Sequence, residues 1–343
     1  MSRVHKFSWK KDRPEKTAAV CRWGGIGDMV QASSILPGLK AQGFHITMYC
    51  TEMGKDILRH DPHIDAWVIQ DKDQVPNGAL GSYWEYLTKK YDRFINLSES
   101  VEGAFLALPG RICHSWPQEV RHQYFNKNYL EFAHELAGVP LPPRQKFYPT
   151  PDEVSWAKRQ VSNLNGFVIM WSLSGSSVHK HWPHLDTVLA RLMLEHPDSR
   201  VILCGDDICK LLEEGWDKEK RIKCMSGKLS IRQSLTLAQH VDLVVGSETG
   251  LLNAVGLEEV PKVITLSHSS VENLTKHWKN TTNLIQPTDS GAPCAASACH
   301  RMHYGWKYCH IDAKGEAAVC QTNITADVKY AAIEGWIEKW HNK

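Results

Sequence analysis

Short apolar runs alternate with amphipathic stretches along most of this chain. TAAVCRW (17–23), FHITMYC (44–50), AWVIQ (66–70) and DRFINLS (92–98) read as strands with both faces buried. Between the first two, DMVQASSILPGLKAQG (28–43) places Met29, Ala32, Ile35, Leu36 and Leu39 close to a 3.6-residue period, so a helix stopped by Gly43 is expected. KDILRHDP (55–62) and YWEYLTKKY (83–91) read as two further helices. The Pro-rich stretch PLPPRQKFYPTPDE (140–153) breaks the rhythm and reads as a linker.

Alternation then restarts. Strands are expected at 166–174, 199–205, 242–247 and 261–267. Helices are expected at 184–197, near 207–216, and at 228–241, 249–257 and 324–341. Thr325 or Asp327 would cap the last of these. The pattern predicts an α/β protein with two successive doubly wound, Rossmann-like domains and a cleft between them. The boundaries fall at 1–150, 151–323 and a C-terminal helix at 324–343, with residues 1–16 as a loose arm.

Three loops carry candidate chemistry. In RWGGIGDMVQ, Gly24, Gly25 and Gly27 follow the first strand and Asp28 opens the helix. A dinucleotide fingerprint would need a third glycine where Val30 stands, and no phosphate-binding GxxxxGK[ST] loop is present. Asp28 is either a capping acid or a group that does chemistry. In WSLSGSSVHKHWPHL (171–185), the hydroxyls of Ser174, Ser176 and Ser177 and the charge of Lys180 would suit a diphosphate; a polar loop with an exposed lysine is the plainer reading. In VVGSETGLLNAVGL (244–257), Thr249 and Gly250 open a helix whose free amides would attract an anion. Glu248 is a donor-site acid or a simple cap.

The order of these loops resembles family 9 of the glycosyltransferases, the lipopolysaccharide heptosyltransferases. The resemblance runs over GGIGDMVQASSILPGLK, SGSSVHKHWP and SGKLSIRQSLTLAQHVDLVVGSETGLLNAVGL, and spans roughly residues 18–340. It implies the GT-B architecture and an inverting transfer of a sugar, usually heptose from ADP-heptose. It implies that Asp28 is the general base and that Lys180 binds the donor diphosphate. Gly25, Gly27, Ser174, Ser176, Ser177, Glu248, Thr249 and Gly250 complete the expected donor site. Asp207 matches the family's ribose-contacting acid loosely. The family usually has Asp where Glu248 stands and often His where Asn253 stands, which puts the donor geometry in question.

Four of the ten cysteines, Cys294, Cys299, Cys309 and Cys320, crowd into residues 294–320. They would suit a structural zinc or iron ion, although the spacing lacks tight CxxC pairs and His300, His303 and His310 compete as ligands. Free buried thiols are the alternative. Some protein-glycosylating relatives of the resembled family carry a cysteine-rich insert here, before a helix like that of CQTNITADV (320–328). No cofactor is expected for catalysis.

The formal net charge of +2 singles out no polyanionic partner, and the basic cluster at Lys218–Lys223 reads as a solvated face. The charged N-terminus lacks an apolar signal core and no run reaches the 18–20 apolar residues of a membrane span, so a cytoplasmic protein is expected. Arg111, His114, Trp116, Arg121 and His122 form a polar-aromatic set for an acceptor in the first domain. The acceptor itself (glycan, protein hydroxyl or modified nucleic-acid base) stays open, as does the oligomeric state. A nicotinamide-dependent oxidoreductase with an aberrant fingerprint is the competing class.

Overall fold

A computed structural model describes residues 15–98, 105–287, 298–301, 309 and 317–342. Two parallel sheets organise the chain. The first has the order β3-β2-β1-β4, with β1 at Thr17–Cys21, β2 at His45–Cys50, β3 at Ala66–Ile69 and β4 at Arg93–Asn96. The second has the order β10-β9-β8-β5-β6-β7. Its strands are β5 (Phe167–Ser172), β6 (Ser199–Cys204), β7 (Ile222–Cys224), β8 (Leu243–Ser247), β9 (Lys262–Thr265) and β10 (Thr281–Leu284). Every strand pair within both sheets is parallel. Both faces of β1 are therefore covered: Ala18 and Val20 enter one apolar cluster, Ala19 and Cys21 another.

The expected first helix is two helices. α1 (Ile26–Ser33) starts two residues earlier than the apolar period indicates, because Gly25 is its N-cap and Asp28 reaches back to the Gly25 N–H. α2 (Leu36–Ala41) begins afresh because Pro37, which has no N–H to donate, fits only in a first turn. α3 (Glu52–Leu58) starts three residues before the expected 55–62, at a Thr51 cap, and ends at Leu58, short of Pro62; α4 (Leu80–Lys90) starts three residues before the expected 83–91. α5 (Gln118–Phe125) and α6 (Tyr129–Ala137) lie in a stretch with no clear sequence signal. The Pro-rich linker ends in a helix, α7 (Pro151–Ser162), with a Thr150/Glu153 capping box and Pro151 in the first turn.

In the second half α8 (Leu185–Glu195), α9 (Ile231–Ala238), α10 (Gly250–Val255), α11 (Val319–Thr322) and α12 (Ala326–His341) surround the sheet. Thr325, not Asp327, caps α12: its side chain accepts from Val328 N. The expected helix near 207–216 is a 3₁₀ turn at Ile208–Glu213. α12 packs Tyr330, Ile333 and Ile337 into the same cluster as Val188 and Leu192 of α8.

The two halves share one core. A single apolar cluster joins Ile46 and Val20 of the first sheet, through Met29 and Val30 of α1, to Leu251 and Leu252 of α10 and Val244 of the second sheet. A buried cation ties the same seam elsewhere. Arg232 of α9 grips Glu153 with two bonds of 2.7 and 2.6 Å and donates to the carbonyls of Asp56, Ile57 and Tyr148.

Candidate functional site

The carboxyl ends of β1, β5 and β8 converge, which is where open parallel sheets bind ligands. After β1 the chain runs through the glycine loop into α1. Asp28 is fixed from both sides: Arg22 Nη2 stands 2.7 Å from Oδ1, and Gly25 N–H donates to Oδ2 at 2.7 Å. Arg22 is itself buried and donates to the Leu97 carbonyl at 2.7 Å. Burial alone would raise the Asp28 pKa. The charge and hydrogen bond of Arg22, the Gly25 amide and the charge of Lys180 outweigh it and hold the carboxyl below its usual range. The Asp28 side chain is 38% exposed against 4% for Arg22, so solvent reaches the acid and not its partner.

Asp28 thus caps α1, one of the two roles that the sequence offered, and the same carboxylate stays ionised and partly exposed. Arg22 was missed. An arginine at the end of a strand reads as a surface residue, and only the fold turns it inward.

Lys180 comes from the other domain. It ends the 3₁₀ turn Val178–Lys180 after β5, and its backbone carbonyl accepts from the Ser247 hydroxyl at 2.6 Å. Its stem lies over Gly175, where an added Cβ would stand 2.5 Å from Lys180 Cδ. Ser177 is buried and Ser176 exposed. The Ser174 hydroxyl is buried and has no partner among the described residues. The Lys180 charge is felt by Asp28 across the seam and by Glu248 and His268 within its own domain.

The Thr249 hydroxyl accepts from Ser172 at 3.0 Å, which aims it from the start of α10. Glu248 points away from that helix start. Its Oε1 takes the N–H groups of Ser267 and Ser269 and the Ser267 hydroxyl; its Oε2 lies 3.0 Å from His268 Nε2, outside the angles of a hydrogen bond. Burial would raise the Glu248 pKa, but His268, the Ser267 amide, Ser269 and Lys180 keep it low. Its observed work is to hold the loop after β9.

Gly27 and Gly250 are where the domains touch. A Cβ on Gly250 would stand 2.5 Å from Ile26 Cβ and 2.9 Å from Gly27 N; one on Gly27 would stand 2.9 Å from Asn253 Nδ2. Asn253 accepts from Gln31 Nε2 at 2.8 Å and, at its backbone carbonyl, from Gln145. Where the resembled family often has histidine, this chain spends the side chain on the domain seam. Gly25, by contrast, is exposed. Asp207 follows β6, 80% exposed and paired with Lys210, and nothing observed joins it to the other donor-site residues.

Of the acceptor set, Arg121 is buried and donates to the carbonyls of Cys299 and Trp116. His122 Nδ1 lies 3.3 Å from His300 Nε2, and Arg301 donates to the His114 carbonyl. Trp116 stacks on Phe125, while Arg111 is exposed. Through Arg121, His122 and His114 this set ties the first domain to segment 298–301. A second aromatic group, unforeseen, adjoins the glycine loop: Trp23 meets Trp84 at 5.1 Å and Tyr83 meets Trp84 at 5.2 Å.

Cys309 and Cys320 share a small buried cluster, and Cys299 is buried separately; Cys294 lies outside the described residues. Among the described residues no three His, Cys, Asp or Glu side chains are placed to hold a metal ion. No described helix is long and apolar enough to cross a membrane.

Two parallel-sheet α/β domains, packed together where α1 of one meets α10 of the other, define the fold. The model of glycosyltransferase family 9 (heptosyltransferase) matches residues 81–304, and the chain belongs to that family. It is a glycosyltransferase, not an oxidoreductase. Among solved structures it is similar to the Escherichia coli ADP-heptose lipopolysaccharide heptosyltransferase II, with 15% identity, a TM-score of 0.64, and 95% of this chain and 99% of that one covered. A family 9 glycosyltransferase from Veillonella parvula matches at 14% identity and TM-score 0.59, covering 80% and 87%. The iron-containing dodecameric glycosyltransferase TibC of enterotoxigenic E. coli matches at 13% and 0.57, covering 96% and 79%. These matches carry the GT-B fold. No curated protein sequence matches.

Proposed function

We propose that this chain moves a sugar, in the first instance heptose from ADP-heptose, from a nucleoside diphosphate to an acceptor hydroxyl with inversion at the anomeric carbon. The observation that carries this reading is Asp28 itself: a carboxylate 38% exposed at the mouth of the glycine loop, held by Arg22 at 2.7 Å and by the Gly25 amide, on the side where α10 of the other domain packs against Ile26 and Gly27. Asp28 takes the proton of the acceptor hydroxyl as its oxygen attacks the anomeric carbon. The bond to the diphosphate breaks on the opposite face, and its electron pair leaves with the diphosphate oxygen. Lys180 offsets the charge that develops there, helped by the Thr249 hydroxyl and the Ser174–Ser177 loop. No cofactor takes part in this step.

Three similar structures support the sugar and the base: heptosyltransferase II is named for ADP-heptose, a heptosyltransferase WaaC was solved with an ADP-heptose analogue, and TibC with an ADP-heptose. The aromatic group at Trp23 and Trp84 would give an acceptor ring a face to lie on beside Asp28.

A thermal-shift panel with ADP, UDP, GDP, CMP and NAD tests the donor site. ADP should raise the unfolding midpoint saturably, by the equivalent of about 2.7 kcal/mol at a hundredfold excess over Kd. Lys180→Ala should lose most of that rise. A response to NAD alone, or one indifferent to Lys180, would overturn the assignment.

The proposal extends to a structural metal on Cys294, Cys299, Cys309 and Cys320. Its support is the buried pairing of Cys309 with Cys320 and the iron named for TibC. Elemental analysis of the purified protein should find close to one zinc or iron per chain, lost in Cys309→Ser/Cys320→Ser. Protein free of both metals would remove this part and leave the transfer step untouched.

A further inference from the structure

A cavity lies in the second domain. It has a volume of about 400 Å³ and sits between α7, α9 and the β6–β7 edge of the sheet. Its floor is apolar, made by Ile202, Met225, Leu229 and Leu237, with Trp156 as a wall. Its rim is cationic: Arg200, Lys220 and Lys223 line it, and no carboxylate does.

The Arg200 guanidinium is fixed in place. Nε donates to the Leu164 carbonyl at 2.9 Å and Nη1 to those of Pro197 and Ser199, each at 2.9 Å. Its Nη2 has no partner among the described residues. The nearby acid, Glu219, is chelated by Arg221 through bonds of 3.0 Å from Nε and from Nη2. Lys220 and Lys223 are exposed and form no ion pair among the described residues. The basic run at Lys218–Lys223, which reads as a solvated face in the sequence, thus borders a hollow.

A cavity of this size, with an apolar floor and a few convergent polar groups, suits a small organic ligand. We infer that it binds a planar amphipathic anion, its ring against Trp156 and its carboxylate or phosphate at Arg200, Lys220 and Lys223. Arg200 stands near the amino end of β6, whereas the transfer cleft lies at the carboxyl ends of β1, β5 and β8, and neither Asp28, Lys180 nor Thr249 lines the cavity.

The experiment uses methyl-¹³C-methionine protein, whose eight methionines give few signals, with Met225 assigned by Met225→Leu. Naphthalene-2-carboxylate is the probe and its neutral alcohol, 2-naphthalenemethanol, the charge control. The Met225 methyl should shift saturably with the carboxylate and bind the alcohol at least tenfold more weakly. Lys220→Glu/Lys223→Glu, a change at exposed positions, should weaken carboxylate binding at least tenfold; Lys180→Ala should leave it unchanged. An unmoved Met225 methyl, equal binding of the alcohol, or indifference to the double charge reversal would overturn the inference.

Discussion

Asp28→Asn is expected to lower turnover by about 10²–10⁴-fold, the usual contribution of a general base, while ADP binding changes little. Asparagine keeps an oxygen for Arg22 but cannot accept the acceptor's proton. Alanine would be a poorer test, because it strands the buried Arg22 guanidinium without its carboxylate and removes the bond to the Gly25 amide. An unfolding midpoint measured beside the rate separates lost chemistry from lost structure. The lowered pKa of Asp28 also sets a sign. In the proposed base role its carboxylate is the active form, so the acid limb of the rate profile should fall below the ordinary carboxylate range. Full turnover in Asp28→Asn would remove the base role.

The second large effect concerns stability. Arg232→Ala should destabilise the fold by about 3–5 kcal/mol, the cost of breaking a buried ion pair on one side. The guanidinium is 2% exposed, and its loss also frees three backbone carbonyls of the first half of the chain. Its hydrogen bonds to Glu153 hold that carboxyl down from 4.5 to about 2, against burial. A depressed folded pKa stabilises the protein fully above the unfolded value and ceases to do so as pH falls through the folded one. The gap between wild type and variant in denaturant unfolding should therefore be largest above pH 4.5 and shrink towards pH 2. A gap that does not vary with pH would mean that Arg232 acts by packing alone.

Much of this was legible in the chain, for definite reasons. Strands such as TAAVC and FVIMWS are buried on both faces, so their apolar runs are continuous and hard to mistake. Pro37 and the Thr150/Glu153 box are local signals too, yet the strong period of residues 28–43 and the prolines of 140–153 hide them. What could not be read are partnerships that only the fold creates. Arg22 with Asp28 is close in sequence but depends on the loop's reversal, and Arg232 with Glu153 depends on two helices of the second half packing together. Arg232 with the Asp56 and Ile57 carbonyls, and Asn253 with Gln31 and Gln145, join positions that only the packed halves bring together. From its position before Thr249, Glu248 reads as a donor-site acid or a cap; the hold of its carboxylate on Ser267 and Ser269 depends on the loop after β9 and leaves no mark in the sequence.

The most direct measurement is a crystal structure of the wild-type chain soaked with ADP-heptose. The diphosphate is expected within hydrogen-bond reach of Lys180 Nζ, with the anomeric carbon turned towards the Asp28 carboxylate. A diphosphate seated on the Gly24–Gly27 loop and remote from Lys180 would contradict the assignment of donor and base.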